Sequence, residues 1–166
     1  MAGFGEPAAE PVDATGLVVG VVAARWHGEL TDHMVERAVA AARACDAQDV
    51  VVARVAGSVE LPVVAQALAR RCDVVVALGV VVRGSTAHFD LVCRSVTDGL
   101  TRLALDTGKP VAHGVLTVDS LDQARDRAGL PGSAEDKGWA ATVAALDSAV
   151  TLRRLADAAR PVGFGR

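Results

Sequence analysis

The chain has 166 residues, with 17 Lys and Arg against 20 Asp and Glu, so its formal net charge at pH 7 is −3. A chain of this length is typical of one domain, and its acidic balance leaves no basic surplus with which to bind the phosphate backbone of a nucleic acid. Hydrophobic residues make up 51%, charged residues 22% and aromatic residues 3%, which excludes a disordered chain and argues against a single-strand nucleic-acid binder with several stacking rings.

The two ends of the chain differ in composition from its body. Residues 1–15 are rich in Pro, Gly and Ala and predict an N-terminal tail that is flexible or lies on a neighbouring molecule. This tail contains two Glu and no Lys or Arg, which is unlike a secretory signal, and no uncharged apolar stretch approaches the roughly 20 residues of a membrane-spanning helix. We therefore expect a cytoplasmic protein without a membrane partner, with a single domain over residues 16–160 and a C-terminal tail over residues 161–166.

Four Val-rich apolar runs predict buried strands, at residues 17–23, 50–55, 74–82 and 111–115. Continuous rather than alternating apolar runs indicate strands that are covered on both faces. Apolar residues at spacings of three and four predict helices at about residues 30–45, 63–71, 89–104, 119–128 and 133–159. Strands that alternate with helices predict an α/β protein, a three-layer α/β/α sandwich around a four-stranded parallel sheet.

The segment Arg83-Gly84-Ser85-Thr86-Ala87-His88 follows the third predicted strand and opens a helix. Ligands bind beyond the carboxyl ends of such strands, and a helix N-terminus there favours an anion. Gly84 permits close approach of the backbone, Ser85 and Thr86 add hydroxyl groups, and Arg83 adds charge, so the segment predicts a phosphate site. The positive end of the helix dipole disfavours a charged imidazole at His88, which would leave a neutral base. The alternative is that Ser85 or Thr86 only caps the helix and that His88 is a surface residue.

Two further residues lie just after predicted strands. Trp26 directly follows the first strand, and in a chain with so few aromatic rings it is well placed to stack on a planar ligand. Packing against the protein is the alternative. Glu60 falls in the first turn of the second helix, where its carboxylate could bind a ligand or only complement the helix dipole.

Several common motifs are absent from the sequence. No G-x-G-x-x-G follows the first strand, and the chain contains no P-loop, no H-E-x-x-H and no G-x-S-x-G. The four histidines lack metal-ligand spacing, and Cys45, Cys72 and Cys93 form no C-x-x-C pair. We therefore expect buried free thiols and no metal site.

Five strings occur in order along the chain: RWHG, VAGSVELPVVAQ, VVALGVVVRGSTAHFDLVCRSVTDGL, KPVAHGVLT and DQARDRAGLPGSAEDKG. Together they resemble the lumazine synthase family over about residues 16–155. Abundant Ala, Val and Arg, with no Ile and no Asn, resemble the actinobacterial members of that family. The resemblance implies the same three-layer sandwich, with a flavodoxin-like sheet.

The resemblance also implies a transferase of riboflavin biosynthesis. It would condense 5-amino-6-(D-ribitylamino)uracil with 3,4-dihydroxy-2-butanone 4-phosphate to give 6,7-dimethyl-8-ribityllumazine, phosphate and water, with no metal or redox cofactor. His88 matches the family's proton-transfer histidine, and Trp26 would stack on the pyrimidine ring. The other substrate-binding matches are Gly57, Ser58, Val59 and Glu60 around the ribityl chain and Val80, Val81 and Val82 around the uracil. The phosphate-binding matches are Arg83, Gly84, Ser85 and Thr86.

In this family the neighbouring subunit completes each site. From that subunit, Arg127 would bind the phosphate, Lys137 would contact the ligand region and His113 would line the pocket around the ring. The position of His113 commonly holds an aromatic residue or Asn, and its imidazole could either fill space or hydrogen-bond the ring. The implied assembly is a homopentamer, functionally linked to riboflavin synthase; the loop at residues 130–136 and the proline-bearing tail favour a pentamer over a shell of twelve pentamers.

Two rival functions remain open at this point. A non-catalytic lumazine- or flavin-binding relative would keep the stacking ring but would not need the phosphate site, His88 or Arg127. A flavodoxin-like FMN electron carrier would have a hydroxyl-rich phosphate loop after the first strand, where this chain has Arg25-Trp26-His27-Gly28.

Overall fold

The computed structural model describes residues 8–158 and contains one parallel sheet. Its strands are β1 (Val18–Ala24), β2 (Asp49–Val55), β3 (Val74–Val82) and β4 (Val111–Val118), in the order β2-β1-β3-β4. The predicted four-stranded parallel sheet is therefore confirmed. Strand β4 continues beyond residue 115 because Leu116, Thr117 and Val118 pair with the last residues of β3.

The α-helices of the described chain form two layers around this sheet. They are α1 (Gly28–Ala44), α2 (Leu61–Ala69), α3 (His88–Thr107), α4 (Leu121–Arg125) and α5 (Lys137–Ala158), and a 3-10 turn at Ser58–Glu60 precedes α2. Helices α1 and α5 cover one face of the sheet, and α2 and α3 cover the other. The three-layer α/β/α sandwich is thus confirmed as well.

Strand β3 shows why the apolar runs are continuous. Val74 and Val76 are buried in the core beneath α1 and α5, while Val75 and Ala77 are buried in the core beneath α2 and α3. Successive side chains of a strand point to opposite faces, so a strand with a helix layer on each side needs an apolar residue at every position.

Residues 126–136 form an ordered loop, which makes α4 shorter and α5 later than the sequence pattern predicts. The Asp126 carbonyl accepts the Glu135 N–H at 3.0 Å, and the Asp126 carboxylate accepts the Ala134 N–H at 3.1 Å. These bonds use backbone groups that a continuous helix would have used internally.

Helix α1 holds this loop in place. His33 Nε2 lies 2.8 Å from the Gly129 carbonyl oxygen, and Arg37 forms an ion pair with Asp136. Gly129 has a φ of +79°, and a Cβ atom there would lie 2.6 Å from Asp136 Cγ, so only glycine suits this turn. The loop position is therefore set by tertiary contacts.

Residues 8–15 of the predicted tail lie against the domain. The Trp139 indole N–H donates to the Ala9 carbonyl at 2.9 Å, Ala14 is buried, and Thr15 forms a β-bridge with Ala47. Residues 1–7 and the predicted tail at residues 161–166 lie outside the described residues. The domain limits at residues 16–160, and the flexibility of the tail, stay predictions.

Cys45, Cys72 and Cys93 are free thiols, and the first two are buried. Between residues 8 and 158, no group of three His, Cys, Asp or Glu side chains could hold a metal ion. None of the helices in the same part of the chain is both long and apolar enough to cross a membrane.

Candidate active site

A cleft of about 430 Å³ lies beyond the carboxyl ends of β1, β2 and β3. Strands β1 and β3 are neighbours although β2 separates them in sequence, so the cleft lies where the strand order reverses, which is where open α/β sheets bind ligands. The cleft gathers most of the site residues predicted from sequence: Trp26, Gly57, Ser58, Val59, Glu60, Val80, Val81, Val82, Gly84, Thr86 and His88.

Trp26 and Glu60 meet across Gly57 at one side of the cleft. The Trp26 side chain is 68% exposed, and a Cβ atom on Gly57 would lie 3.7 Å from its Cδ1 atom. The Gly57 N–H donates to Glu60 Oε2 at 2.8 Å, so the 3-10 turn itself fixes the carboxylate. An exposed indole face beside a fixed hydrogen-bond acceptor suits a flat ring that carries a hydroxylated chain.

The loop at residues 83–87, hereafter the phosphate loop, joins β3 to α3 on the other side of the cleft. No atom lies within 4 Å of the position that a Cβ atom on Gly84 would take, so the absent side chain leaves the backbone open to the cleft. The Thr86 hydroxyl accepts the His88 N–H at 3.4 Å, so Thr86 also supports the start of α3, as one of the alternatives above proposed. His88 is the first residue of this 20-residue helix and is exposed in the cleft.

The remaining predicted residues do not line the cleft: Arg83, Ser85, His113, Arg127 and Lys137. Arg127 and Lys137 lie together on either side of Glu135, with Arg127 Nε 3.5 Å from Oε1 and Lys137 Nζ 3.6 Å from Oε2. The Glu135 side chain is only 12% exposed, and its Oε2 atom makes no hydrogen bond. Arg127 and Lys137 therefore both pair with one largely buried carboxylate.

His113 has a partner on a helix of its own chain. Its Nε2 atom lies 3.0 Å from Thr97 Oγ1 on α3. Partial burial against this helix lowers the pKa of His113, so the imidazole is neutral near pH 7.

Four residues that line the cleft were not predicted as site residues: His27, Ala56, Phe89 and Val92. Val92 lies one helical turn beyond His88 on α3, so the spacing of four residues could have identified it. His27 has a φ of 54°, and this left-handed conformation of a histidine could not be predicted from a sequence pattern.

The model of the family described as 6,7-dimethyl-8-ribityllumazine synthase matches residues 16–153 of the chain. The chain belongs to this family. A relative of that name from Salinispora arenicola is 79% identical over 99% of both chains. A second, from Thermobifida fusca, is 61% identical over 95% of this chain and 92% of its own, and a third, from Frankia casuarinae, is 56% identical over 93% and 98%.

Membership in the lumazine synthase family confirms the prediction of a transferase of riboflavin biosynthesis with actinobacterial relatives. The names of these relatives support this enzyme rather than the non-catalytic binding protein that the sequence left open.

Proposed function

We propose that this chain condenses 5-amino-6-(D-ribitylamino)uracil with 3,4-dihydroxy-2-butanone 4-phosphate to form 6,7-dimethyl-8-ribityllumazine, phosphate and water. The observation that carries the proposal is the convergence of Trp26, Glu60 and His88 on one cleft in a chain of this family. A stacking ring, a carboxylate and a base in that arrangement serve the ring, the hydroxylated chain and the proton transfers of this reaction.

Each side of the cleft would hold a different substrate. Trp26 stacks on the pyrimidine ring, the turn at residues 57–60 holds the ribityl chain, and Val80, Val81 and Val82 frame the uracil. Gly84, Ser85 and Thr86 bind the phosphate with the N-terminus of α3, where unpaired N–H groups favour an anion. His88 lies between the two sides and moves protons.

The chemistry needs few groups beyond these. The aromatic amine attacks the ketone to form an imine with loss of one water, and elimination then releases inorganic phosphate. The ribitylamino nitrogen closes the second ring on the remaining carbonyl carbon with loss of a second water. Holding amine and ketone together can lower the barrier by about 7–11 kcal/mol in favourable cases. Proton transfer by His88 adds a factor of about 10²–10⁴.

The neighbouring subunit completes the site in this proposal. The cleft of the same chain is not lined by Arg127, Lys137 or His113. This supports a role for these residues in the cleft of a neighbouring subunit. The described surface also exposes large apolar side chains, among them Val63, Leu91 and Leu105, which are 65%, 66% and 79% exposed. A closed ring of identical subunits would cover such surface on every copy.

The proposed assembly is a cytoplasmic homopentamer. The three free thiols suit a reducing compartment, and the product would pass to riboflavin synthase. Light scattering on the purified protein should give the mass of five subunits; the mass of one subunit or of sixty would contradict the pentamer.

The activity has a direct test. The purified protein, mixed with both substrates, should produce the fluorescent lumazine well above the slow uncatalysed background. Formation of product at the background rate, with both substrates intact at the start, would contradict the proposed function.

A further inference from the structure

The Arg83 side chain joins three elements beside the cleft, although Arg83 is not among the residues that line it. Its Nε atom donates to Asp119 Oδ1 at 2.8 Å, Nη1 donates to Asp90 Oδ1 at 3.3 Å, and Cζ lies 4.1 Å from the centre of the Phe89 ring. The Arg83 backbone N–H donates to the Val118 carbonyl at 2.8 Å. Arg83 therefore ties the end of β3 to the end of β4 and to the first turn of α3.

The guanidinium is already neutralised where it lies. Two carboxylates face it, so the three charged groups sum to one negative charge, and its Cζ atom lies over an aromatic ring. The hydrogen bond with Asp119, followed by the charge of Asp90, raises the pKa of Arg83. A phosphate in the cleft would meet little net attraction from such a group.

The backbone of Asp119, the residue that pairs with Arg83, is itself held by a hydrogen bond to α4. The Asp119 N–H donates to Gln123 Oε1 at 3.0 Å, and the Gln123 carbonyl accepts Arg127 Nη1 at 2.9 Å. The contacts run from the phosphate loop through Asp119 to the start of the segment that carries Arg127.

We propose that Arg83 is a positioning residue that braces the phosphate loop against Asp119 and Asp90, and that it is not itself a ligand of the phosphate. The loop then presents the backbone of Gly84 and Thr86 to the anion in a fixed arrangement. This inference rests on the proposed function, because it assigns the phosphate group to the cleft beside this loop.

Variants of Asp119 distinguish the two possible roles of Arg83, because removal of the Asp119 carboxylate has a different consequence for phosphate binding under each role. If Arg83 braces the loop, Asp119→Ala loosens the loop and weakens phosphate binding. If Arg83 binds phosphate directly, Asp119→Ala removes a competing carboxylate and leaves binding unchanged or tighter. The isosteric Asp119→Asn tests the charge with less change in packing.

The experiment is calorimetric titration of inorganic phosphate into the assembled wild-type protein and into Arg83→Ala, Asp119→Ala, Asp119→Asn and the Arg83→Ala/Asp119→Ala double variant. We expect each single Ala variant to weaken binding by roughly three- to tenfold, and the double variant to bind no more weakly than the weaker single variant. Steady-state kinetics should show a raised KM for the phosphate substrate with kcat nearly unchanged. Arg83→Lys should recover only part of the affinity, because an ammonium lacks the planar fork.

The inference is overturned if Asp119→Ala binds phosphate as tightly as the wild type while Arg83→Ala loses affinity. It is also overturned if no variant changes the affinity. Wild-type protein that binds phosphate but forms no lumazine contradicts the proposed function alone, because the comparison of variants uses binding and not turnover.

Discussion

His88 opens α3 with its side chain exposed in the cleft, between the turn that holds Glu60 and the phosphate loop. A histidine in this position can move protons in both the imine and elimination steps without contributing to the fold. A substitution of His88 should therefore change the rate of the reaction with little effect on the stability of the fold.

For His88→Ala we expect kcat to fall by about 10²–10⁴-fold, with residual activity because both substrates are still held together. Steady-state kinetics measure this, and a thermal unfolding curve like that of the wild type serves as the control. An unchanged kcat would remove His88 from the mechanism.

His113 makes the pH dependence of stability testable. Because burial lowers its pKa in the folded protein, the unfolded chain takes up the proton first as the pH falls through the ordinary histidine value of about 6.5. The contribution of His113 to stability is thus present at neutral pH and is lost on acidification. Between about pH 7 and pH 5 the wild type should lose more thermal stability than His113→Asn; equal losses would show that this histidine does not titrate differently in the two states.

At the scale of elements, the start of α5 packs against α1 with no room for a side chain. A Cβ atom on Gly138 would lie 2.4 Å from the Met34 carbonyl oxygen and 3.1 Å from Arg37 Cβ. Gly138→Ala should therefore lower the free energy of unfolding by about 1–3 kcal/mol, measured by urea denaturation. On Gly28, at the start of α1, the nearest atom to an added Cβ would be 3.9 Å away, so Gly28→Ala should be neutral or slightly stabilising. Equal effects of the two variants would contradict this account of the packing.

A Gly-to-Ala substitution in the phosphate loop should affect substrate binding and leave stability unchanged. Within residues 8–158, the added Cβ of Gly84→Ala would have no atom within 4 Å, so the unfolding temperature should stay the same. The new methyl group would stand over the backbone that is proposed to receive the phosphate. We expect the KM for the phosphate substrate to rise roughly tenfold. The Gly28→Ala variant, outside the cleft, is the matched control, and a wild-type KM in Gly84→Ala would argue against phosphate at this loop.

The elements differ in how far the sequence could predict them. Strand β3 was predictable because burial on both faces requires an apolar residue at every position, and parallel strands then bring Trp26, Glu60 and His88 to one edge of the sheet. The loop at residues 126–136 was not, because its bonds from Asp126 to residues 134 and 135 lie within the loop and leave no periodic signal in the sequence. The placement of Glu135 between Arg127 and Lys137 depends on that loop and was missed with it.

At the scale of the whole molecule, Arg127 should bind the phosphate of a substrate that lies in the cleft of a neighbouring subunit. Arg127→Ala should raise the KM for the phosphate substrate by about ten- to a hundredfold, as expected for loss of a charge-assisted contact, with a smaller effect on kcat. Arg125→Ala is the matched control, because Arg125 lies on the neighbouring helix α4 and pairs with the exposed Asp122. An unchanged KM in Arg127→Ala, or an equal rise in Arg125→Ala, would contradict the assignment.

The measurement that tests the shared active site most directly is the activity of mixed assemblies of His88→Ala and Arg127→Ala subunits, unfolded together in equal amounts and refolded. If each site takes His88 from one subunit and Arg127 from its neighbour, about a quarter of the sites regain both residues. With the phosphate substrate well below its wild-type KM, where Arg127→Ala is slow, the mixture should then be several-fold more active than either variant alone. Activity equal to the mean of the two separate variants would contradict a site built from two subunits.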